Sequence, residues 1–259
     1  MSTILRERHG NVLLITFNRE DKLNAFDPDM IAQLAEAYTE LAGDKSLRCG
    51  VVAANGRFFT SGLDLPAVAP RIMDKERPLI PKGLIDPWGV NTAPCPKPVV
   101  TAVQGRCFTL GIELMLAGQV TVAAADASFT QAEVSRGIMP FGGGSVRWAQ
   151  AVGSQNAWRY LLTGDTLDAA EALRIGLVQQ VVPPGQCLET ALDIANRIAR
   201  QAPLAVQATL RNGRLAQSEG PEAAFAQLLP ELQVLMQSND ARRGLEAFML
   251  RQPADYQGD

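Results

Sequence analysis

Two glutamates lie in apolar stretches of this sequence, where hydrocarbon side chains would be expected. Glu113 falls within residues 109–118 (TLGIELMLAG), and Glu133 falls within residues 129–144 (FTQAEVSRGIMPFGGG). A carboxylate buried without a partner is very costly, so such a group is normally paired, hydrogen-bonded, protonated or placed beside a polar cavity. Two such carboxylates, separated by a glycine-rich and strand-forming stretch, predict an acid/base pair that faces one substrate.

Each glutamate also has a purely structural interpretation. Most acidic residues are exposed, so Glu133 taken alone could be a solvated residue at the end of a strand. A helix can expose one residue per turn, so Glu113 taken alone could point to solvent. The glycine run at 142–144 lacks the lysine of a phosphate-binding loop and is more typical of a tight packing turn.

Other candidates for catalytic chemistry are few. His9 is the single histidine, so sites built on serine and histidine, on cysteine and histidine or on a histidine-bound metal would all rest on it. The four cysteines show no CxxC spacing and no neighbouring histidine, which argues against a zinc site or a disulfide framework. No GxSxG, Walker A or GxGxxG motif occurs. The sequence therefore favours carboxylate and backbone chemistry without a metal.

Composition narrows the class of protein further. With 259 residues and 47% hydrophobic content, the chain is long enough to bury a sizeable core as one large domain with a possible appendage. A net charge of -3 gives no basic footprint for nucleic acid. The apolar run at 12–17 is too short for a signal peptide or a membrane span. We therefore expect a cytoplasmic metabolic protein that binds neither nucleic acid nor membrane.

Strand and helix patterns alternate along the first two thirds of the chain. The apolar runs at 12–17, 49–54 and 99–103 predict strands, and Asp27 followed by proline predicts a helix start. Residues 66–98 hold eight of the 16 prolines, which predicts a loop or broken helix. The alternation predicts an α/β fold with a parallel sheet and right-handed crossovers.

The last quarter of the chain changes character. From residue 188 onward only helical periodicity is visible, interrupted by prolines. This pattern predicts a core over residues 1–187 and a helical C-terminal region over 188–259 that docks on the core or on another subunit. Its apolar positions exceed what a small free bundle would cover, which favours a role in oligomerisation.

Two strand-to-helix turns offer free backbone donors. Residues 61–65 (SGLDL) and 110–113 (LGIE) each follow a strand and precede or begin a helix, where N–H groups lack intrahelical partners. If these two turns converge, they supply paired donors and the positive ends of helix dipoles, which are the ingredients of an oxyanion hole.

At this point the sequence resembles the crotonase superfamily, which includes the enoyl-CoA hydratases. The resemblance covers most of the chain and is carried by six segments in the family's order and at family-like spacing. These segments are residues 18–26, 57–65, 98–105, 110–114, 126–144 and 162–182. The resemblance implies a crotonase-like spiral of ββα units with a helical C-terminal region, assembly as a homotrimer or homohexamer, and binding of an acyl-CoA thioester.

The resemblance also implies roles for particular residues. It places the oxyanion hole at the backbone N–H groups of Leu63 and Leu110, and the acid/base pair at Glu113 and Glu133. It places the turn that contacts coenzyme A at four residues of the first segment, which are Arg19, Lys22, Leu23 and Ala25. One departure concerns Thr109-Leu110, where many family members have two glycines, and it predicts a reshaped acyl pocket.

The resulting expectation is an enoyl-CoA hydratase-like lyase that adds water across the double bond of a 2-enoyl-CoA thioester. Coenzyme A enters as part of the substrate, and no separate cofactor or metal is expected. Two alternatives stay open. Another crotonase-type reaction, such as double-bond isomerisation or thioester hydrolysis, would use the oxyanion hole with one glutamate, and a non-catalytic CoA-binding subunit would keep the fold alone.

Overall fold

The protein is described by a computed structural model that covers residues 2–74 and 76–259. Its strands, in chain order, are β1 (Ile4–His9), β2 (Val12–Phe17), β3 (Cys49–Ala54), β4 (Val99–Val103), β5 (Arg106–Phe108), β6 (Val120–Ala124), β7 (Ser128–Thr130), β8 (Thr166–Asp168) and β9 (Gln180–Val182). Its helices are α1 (Pro28–Gly43), α2 (Leu65–Met73), α3 (Leu110–Ala117), α4 (Gly144–Val152), α5 (Ser154–Thr163), α6 (Ala169–Ile175), α7 (Cys187–Ala199), α8 (Pro203–Glu219), α9 (Pro221–Met236) and α10 (Asn239–Leu250). Two short 3-10 helices span Glu20–Lys22 and Glu133–Arg136.

The main sheet has six strands in the order β1-β2-β3-β4-β6-β9, and every neighbouring pair except β1 and β2 is parallel. All six residues of β2 are buried, as expected for a strand in a sheet covered on both faces. Leu13 and Ile15 point into the larger core, whereas Val12 and Leu14 point into the smaller one. The predicted α/β fold is confirmed.

A second sheet of three strands brings the two glutamate segments together. β5 and β7 pair in parallel, with Phe108 opposite Thr130, so their carboxyl ends lie side by side. Helix α3, which carries Glu113, starts two residues after β5. Glu133 follows β7 by three residues. The parallel register of two very short strands therefore places both glutamates at one edge of this sheet.

Three local features of the structure have a weak or ambiguous signal in the sequence. The antiparallel strand β1 carries little apolar signal, because only Ile4 of its six residues is buried. The proline-rich stretch begins with a helix, α2, which has Pro66 in its first turn and Pro70 in its interior. Thr166 and Leu167 form β8, and the next helix starts directly after Asp168, whose side chain caps it.

The C-terminal helices do not behave alike. Helix α7 packs its small face, including Ala191 and Ala195, against the main sheet. Helices α8 and α9 pack mainly on each other as a hairpin, and α10 follows them. The division of the chain at residue 187 stays a prediction. Across residues 2–74 and 76–259, no helix has the length and hydropathy needed to cross a membrane.

Candidate active site

Glu113 lies in the first turn of α3, a helix that is apolar on every side. Leu110, Ile112 and Leu114 around it are all buried, as expected of a helix inside a core. The Glu113 side chain is 0% exposed. The Gly144 N–H donates to Glu113 Oε1 at 2.7 Å, so the carboxylate lies at the N-terminus of α4, where the helix dipole favours a negative charge.

Glycine at 144 is required by this close approach. A Cβ atom there would lie 2.9 Å from Glu113 Oε1, closer than real contacts allow. Burial nevertheless dominates the electrostatics and raises the pKa of Glu113 to about 7, although the Gly144 N–H lowers it. The charge of Glu133 raises the pKa further. A carboxyl group with a pKa near 7 is well suited to exchange protons at neutral pH.

Glu133 begins the short helix after β7 and is held by a chain of two hydrogen bonds. Its side chain is 4% exposed, and its Oε1 accepts from Gln131 Nε2 at 2.9 Å. The Gln131 Oε1 in turn accepts from the indole Nε1 of Trp148 at 2.9 Å. Because the indole only donates, it fixes the amide with its NH₂ group toward Glu133.

Both carboxyl groups have the same pattern of hydrogen bonding. One oxygen of each accepts from the scaffold, whereas Oε2 of Glu113 and Oε2 of Glu133 have no partner among the described residues. Burial raises the pKa of Glu133, and the Gln131 amide and the nearby charge of Arg136 lower it. Since the bound oxygen accepts a proton less readily, a proton on either group is favoured at Oε2.

Two residues that line one cavity with Glu133 carry free backbone N–H groups. The N–H groups of Leu63 and Leu110 donate to no described residue. Leu110 is the first residue of α3, and its carbonyl accepts from Trp88 Nε1 at 3.0 Å. Leu63 lies in the turn before α2 and is aligned by a β-bridge to Phe26. The structure thus brings together the two turns that the sequence singled out.

A cavity of about 70 Å³ opens between these groups. It is lined by Ser61, Leu63, Leu65, Thr109, Leu110, Glu133, Arg136, Ile138 and Phe141. Glu113 does not line this cavity, but it lies one helical turn after Leu110 on the same face of α3. The cavity has room for about two water molecules, so an acyl group requires movement of its exposed walls, Ile138 and Phe141.

A larger cleft of about 1150 Å³ lies between the α8–α9 hairpin and the core. Trp88 and Arg147 lie on its core side, and Arg214 lies on its hairpin side. Neither Glu113 nor Glu133 lines it. Its size therefore does not identify it as the catalytic site, and the smaller cavity with convergent polar groups is the better candidate.

The predicted coenzyme A turn adjoins the Leu63 turn. Leu23 has a left-handed backbone and is half exposed, and its carbonyl accepts from Ser61 N at 3.0 Å. Arg19 forms ion pairs with Asp27 at 3.0 Å and with Asp64 at 3.1 Å.

The Arg19 guanidinium also donates to the carbonyl of Ala25 at 2.9 Å, so its observed contacts hold this turn in shape. Lys22 is exposed beside it. Direct contacts of Arg19, Lys22, Leu23 and Ala25 with coenzyme A stay predictions.

Some residues of the site were not found by sequence reasoning. Gln131 lies two positions before Glu133, and its partner Trp148 lies 17 positions after it, so their contact depends on the packing of α4. Gln131 directly follows the short strand β7, whose sequence SFT is itself partly polar, so the glutamine has no distinctive sequence signal. Among residues 2–74 and 76–259, no three histidine, cysteine, aspartate or glutamate residues cluster closely enough to hold a metal ion.

Comparison with known sequences gives a consistent result over the full length. Residues 7–259 match the model of the family described as enoyl-CoA hydratase/isomerase. The chain is 33% identical to 2,3-dehydroadipyl-CoA hydratase of Escherichia coli (strain K12), with 100% of each chain covered. It is 31% identical to the enoyl-CoA hydratase EchA19 of Mycobacterium tuberculosis, with 98% of this chain and 96% of the relative covered.

Comparison with solved structures agrees with the sequence matches. A probable enoyl-CoA hydratase/isomerase from Mycobacterium abscessus superposes with a TM-score of 0.96 at 48% identity, covering 99% of both chains. The enoyl-CoA hydratase of Mycobacterium tuberculosis H37Rv superposes with a TM-score of 0.90 at 33% identity, covering 100% of both chains. The predicted crotonase-like architecture is confirmed by these neighbours.

Proposed function

The chain belongs to the enoyl-CoA hydratase/isomerase family, and we propose that it adds water across the double bond of a 2-enoyl-CoA thioester. The observation that carries this proposal is a small cavity lined by the buried Glu133 and by two residues with free backbone donors, with the buried Glu113 one helical turn beyond Leu110. Addition of water to an enoyl thioester needs a base for the water, an acid for the α carbon and donors for the thioester oxygen.

In the proposed reaction, ionised Glu113 takes a proton from water while the water oxygen bonds to the β carbon. The π electron pair of the double bond moves toward the thioester oxygen, which becomes enolate-like and accepts hydrogen bonds from the N–H groups of Leu63 and Leu110. The electron pair then returns to form a C–H bond at the α carbon with the proton of Glu133. One carboxyl must be ionised and the other protonated, so the pair titrates as a unit.

The electrostatics keep a proton on the pair up to about neutral pH. Each carboxyl has a pKa raised by burial, and the charge of Glu133 raises the pKa of Glu113 further. Glu113 therefore holds a proton up to about pH 7, and the proposed reaction starts from the form in which the single proton of the pair lies on Glu133. The free Oε2 of Glu133 lies on the carboxyl group that lines the cavity, where it can deliver a proton.

A panel of acyl-CoA thioesters tests this proposal against its alternatives. Purified protein is incubated with a 2-enoyl-CoA, a 3-enoyl-CoA and a saturated acyl-CoA, and the products are separated by chromatography. Hydration predicts a 3-hydroxyacyl-CoA from the 2-enoyl thioester. A 2-enoyl product from the 3-enoyl thioester alone would indicate isomerisation, and free coenzyme A would indicate thioester hydrolysis. Unchanged thioesters in every arm would favour a non-catalytic subunit.

We further propose that the chain assembles as a homotrimer or homohexamer through its C-terminal helices. Phe225 on α9 is 67% exposed, and Phe248 on α10 is 82% exposed. Leu229 and Met249 on the same helices are also exposed. An isolated chain rarely leaves so many large apolar side chains in water. The cytoplasmic location stays a prediction.

A further inference from the structure

Thr109 has a backbone conformation that its side chain disfavours. Its φ of 48° and ψ of -115° lie outside the regions that β-branched residues normally occupy. Two backbone hydrogen bonds hold Thr109 in this conformation. Its N–H donates to the Thr130 carbonyl at 2.9 Å, and its own carbonyl accepts from Ile112 N at 2.9 Å. Glycine would adopt this conformation without strain, so the retained threonine calls for an explanation.

The Thr109 hydroxyl has no hydrogen-bond partner among the described residues, although it is buried. Threonine at the position before a helix commonly caps it, but this hydroxyl makes no such bond to α3. A buried hydroxyl without a partner lowers stability. Backbone strain and an unsatisfied hydroxyl thus occur together at one residue, and both costs would disappear with glycine.

The hydroxyl lies close to both turns that carry the backbone donors of the site. Thr109 directly precedes Leu110 in the chain, and its Oγ1 occupies the space beside Gly62, which directly precedes Leu63. A Cβ atom at position 62 would collide with this oxygen. Thr109, Leu63 and Leu110 also line the same cavity. The side chain therefore has one unused O–H donor next to the two turns whose N–H groups are proposed to bind the thioester oxygen.

We propose that the Thr109 hydroxyl is a third hydrogen-bond donor to the thioester oxygen, beside the N–H groups of Leu63 and Leu110. This inference rests on the hydration proposed above. The hydroxyl keeps its proton throughout, because the electron pair that reaches the thioester oxygen returns to the α carbon when that carbon takes the proton of Glu133. A donor placed in advance stabilises the enolate-like oxygen more than the neutral carbonyl.

Three substitutions separate the hydroxyl from the strain. Thr109→Val keeps the shape and the strain but removes the donor. Thr109→Gly removes both, and Thr109→Ser keeps the donor. If the hydroxyl acts on the thioester oxygen, both Val and Gly lower kcat by about tenfold to a hundredfold, whereas Ser stays within a few-fold of the original chain. KM changes less than kcat, because the bond strengthens in the transition state.

The absorption band of a bound acyl-CoA probe distinguishes a hydrogen bond to the thioester oxygen from a purely structural role of Thr109. 4-Dimethylaminocinnamoyl-CoA joins an electron-donating amine to the thioester carbonyl, so its absorption band shifts to the red when donors polarise that oxygen. The original chain and Thr109→Ser should give the full shift, and Thr109→Val and Thr109→Gly a smaller one. If Val does not fold, as judged by circular dichroism, the Gly variant decides, since glycine relaxes the backbone.

The outcomes distinguish this inference from the proposed function. Full kcat and a full red shift in folded Thr109→Gly or Thr109→Val would overturn the role of the hydroxyl while leaving hydration intact. An original chain that neither hydrates 2-butenoyl-CoA nor shifts the probe band would overturn the proposed function itself, and this inference with it.

Discussion

Replacing Glu113 by glutamine should stabilise the fold at alkaline pH while it removes activity. The side chain is fully buried, and burial raises its pKa from the ordinary 4.5 to about 7. Because the folded-state pKa lies above the unfolded one, the protonated side chain favours folding. This contribution is fully present below about pH 4.5 and is lost as the pH rises through about 7.

The magnitude follows from the two pKa values. The interval between 4.5 and about 7 corresponds to about 3 kcal/mol at about 1.36 kcal/mol per pH unit. Glutamine keeps an oxygen for the Gly144 N–H but does not ionise. The free energy of unfolding of Glu113→Gln, relative to the original chain, should therefore increase by about 2 to 3 kcal/mol between about pH 5 and pH 8.

Urea unfolding at fixed protein concentration measures this difference at both pH values. Glu189→Gln provides a matched control, because Glu189 is an exposed glutamate on α7. The control should shift by much less than Glu113→Gln between the two pH values. A pH-independent difference for Glu113→Gln would refute the conclusion that Glu113 is ionised at a cost in the folded state.

Three other predictions concern the remaining parts of the site and the assembly. Gln131→Met removes the donor that stabilises ionised Glu133, so the pKa of Glu133 should rise further. Deuterium exchange at the α carbon of a saturated acyl-CoA uses ionised Glu133 as the base, so the pH midpoint of this exchange should move upward. Trp148→Phe should also raise the midpoint, whereas the control Trp158→Phe, at an exposed position, should leave it unchanged. An unchanged midpoint in Gln131→Met would contradict the role of the hydrogen bond. Leu63→Pro removes one backbone donor and should lower kcat by roughly two to three orders of magnitude, as measured by kinetics with a circular-dichroism control, and a folded, fully active variant would exclude that donor. Light scattering should show a trimer or hexamer that Phe248→Asp weakens, whereas a monomeric original chain at micromolar concentration would contradict the assembly.

Glu113 and Glu133 could be identified from the sequence because their neighbours are mostly apolar. A charged residue in the first turn of an all-apolar helix stands out, and the structure places Glu113 there with no exposure. The main strands could be predicted for a similar reason, since β2 and β4 are continuous, mostly apolar runs rich in β-branched residues. The sequence patterns thus predicted the α/β core and the candidate carboxyl groups.

The relative positions of Glu113 and Glu133 could not be predicted from the sequence. Strands β5 and β7 have only three residues each, too few for a periodic signal, yet their parallel pairing sets the positions of Glu113 and Glu133. The strain and the free hydroxyl of Thr109 depend on this pairing, because its N–H is bound by Thr130 at the end of β7. Long-range register, not local propensity, decides these features.

The central claim is that Glu113 and Glu133 act as a pair in hydration, and the most direct test is the turnover of 2-butenoyl-CoA by the glutamine variants. Glu113→Gln and Glu133→Gln should each lower the rate of 3-hydroxybutanoyl-CoA formation by at least about a hundredfold, the usual scale for loss of a positioned acid or base. The double variant should be little slower than either single one, since the two groups act as a unit. A near-native rate in either folded single variant would contradict the two-carboxylate mechanism.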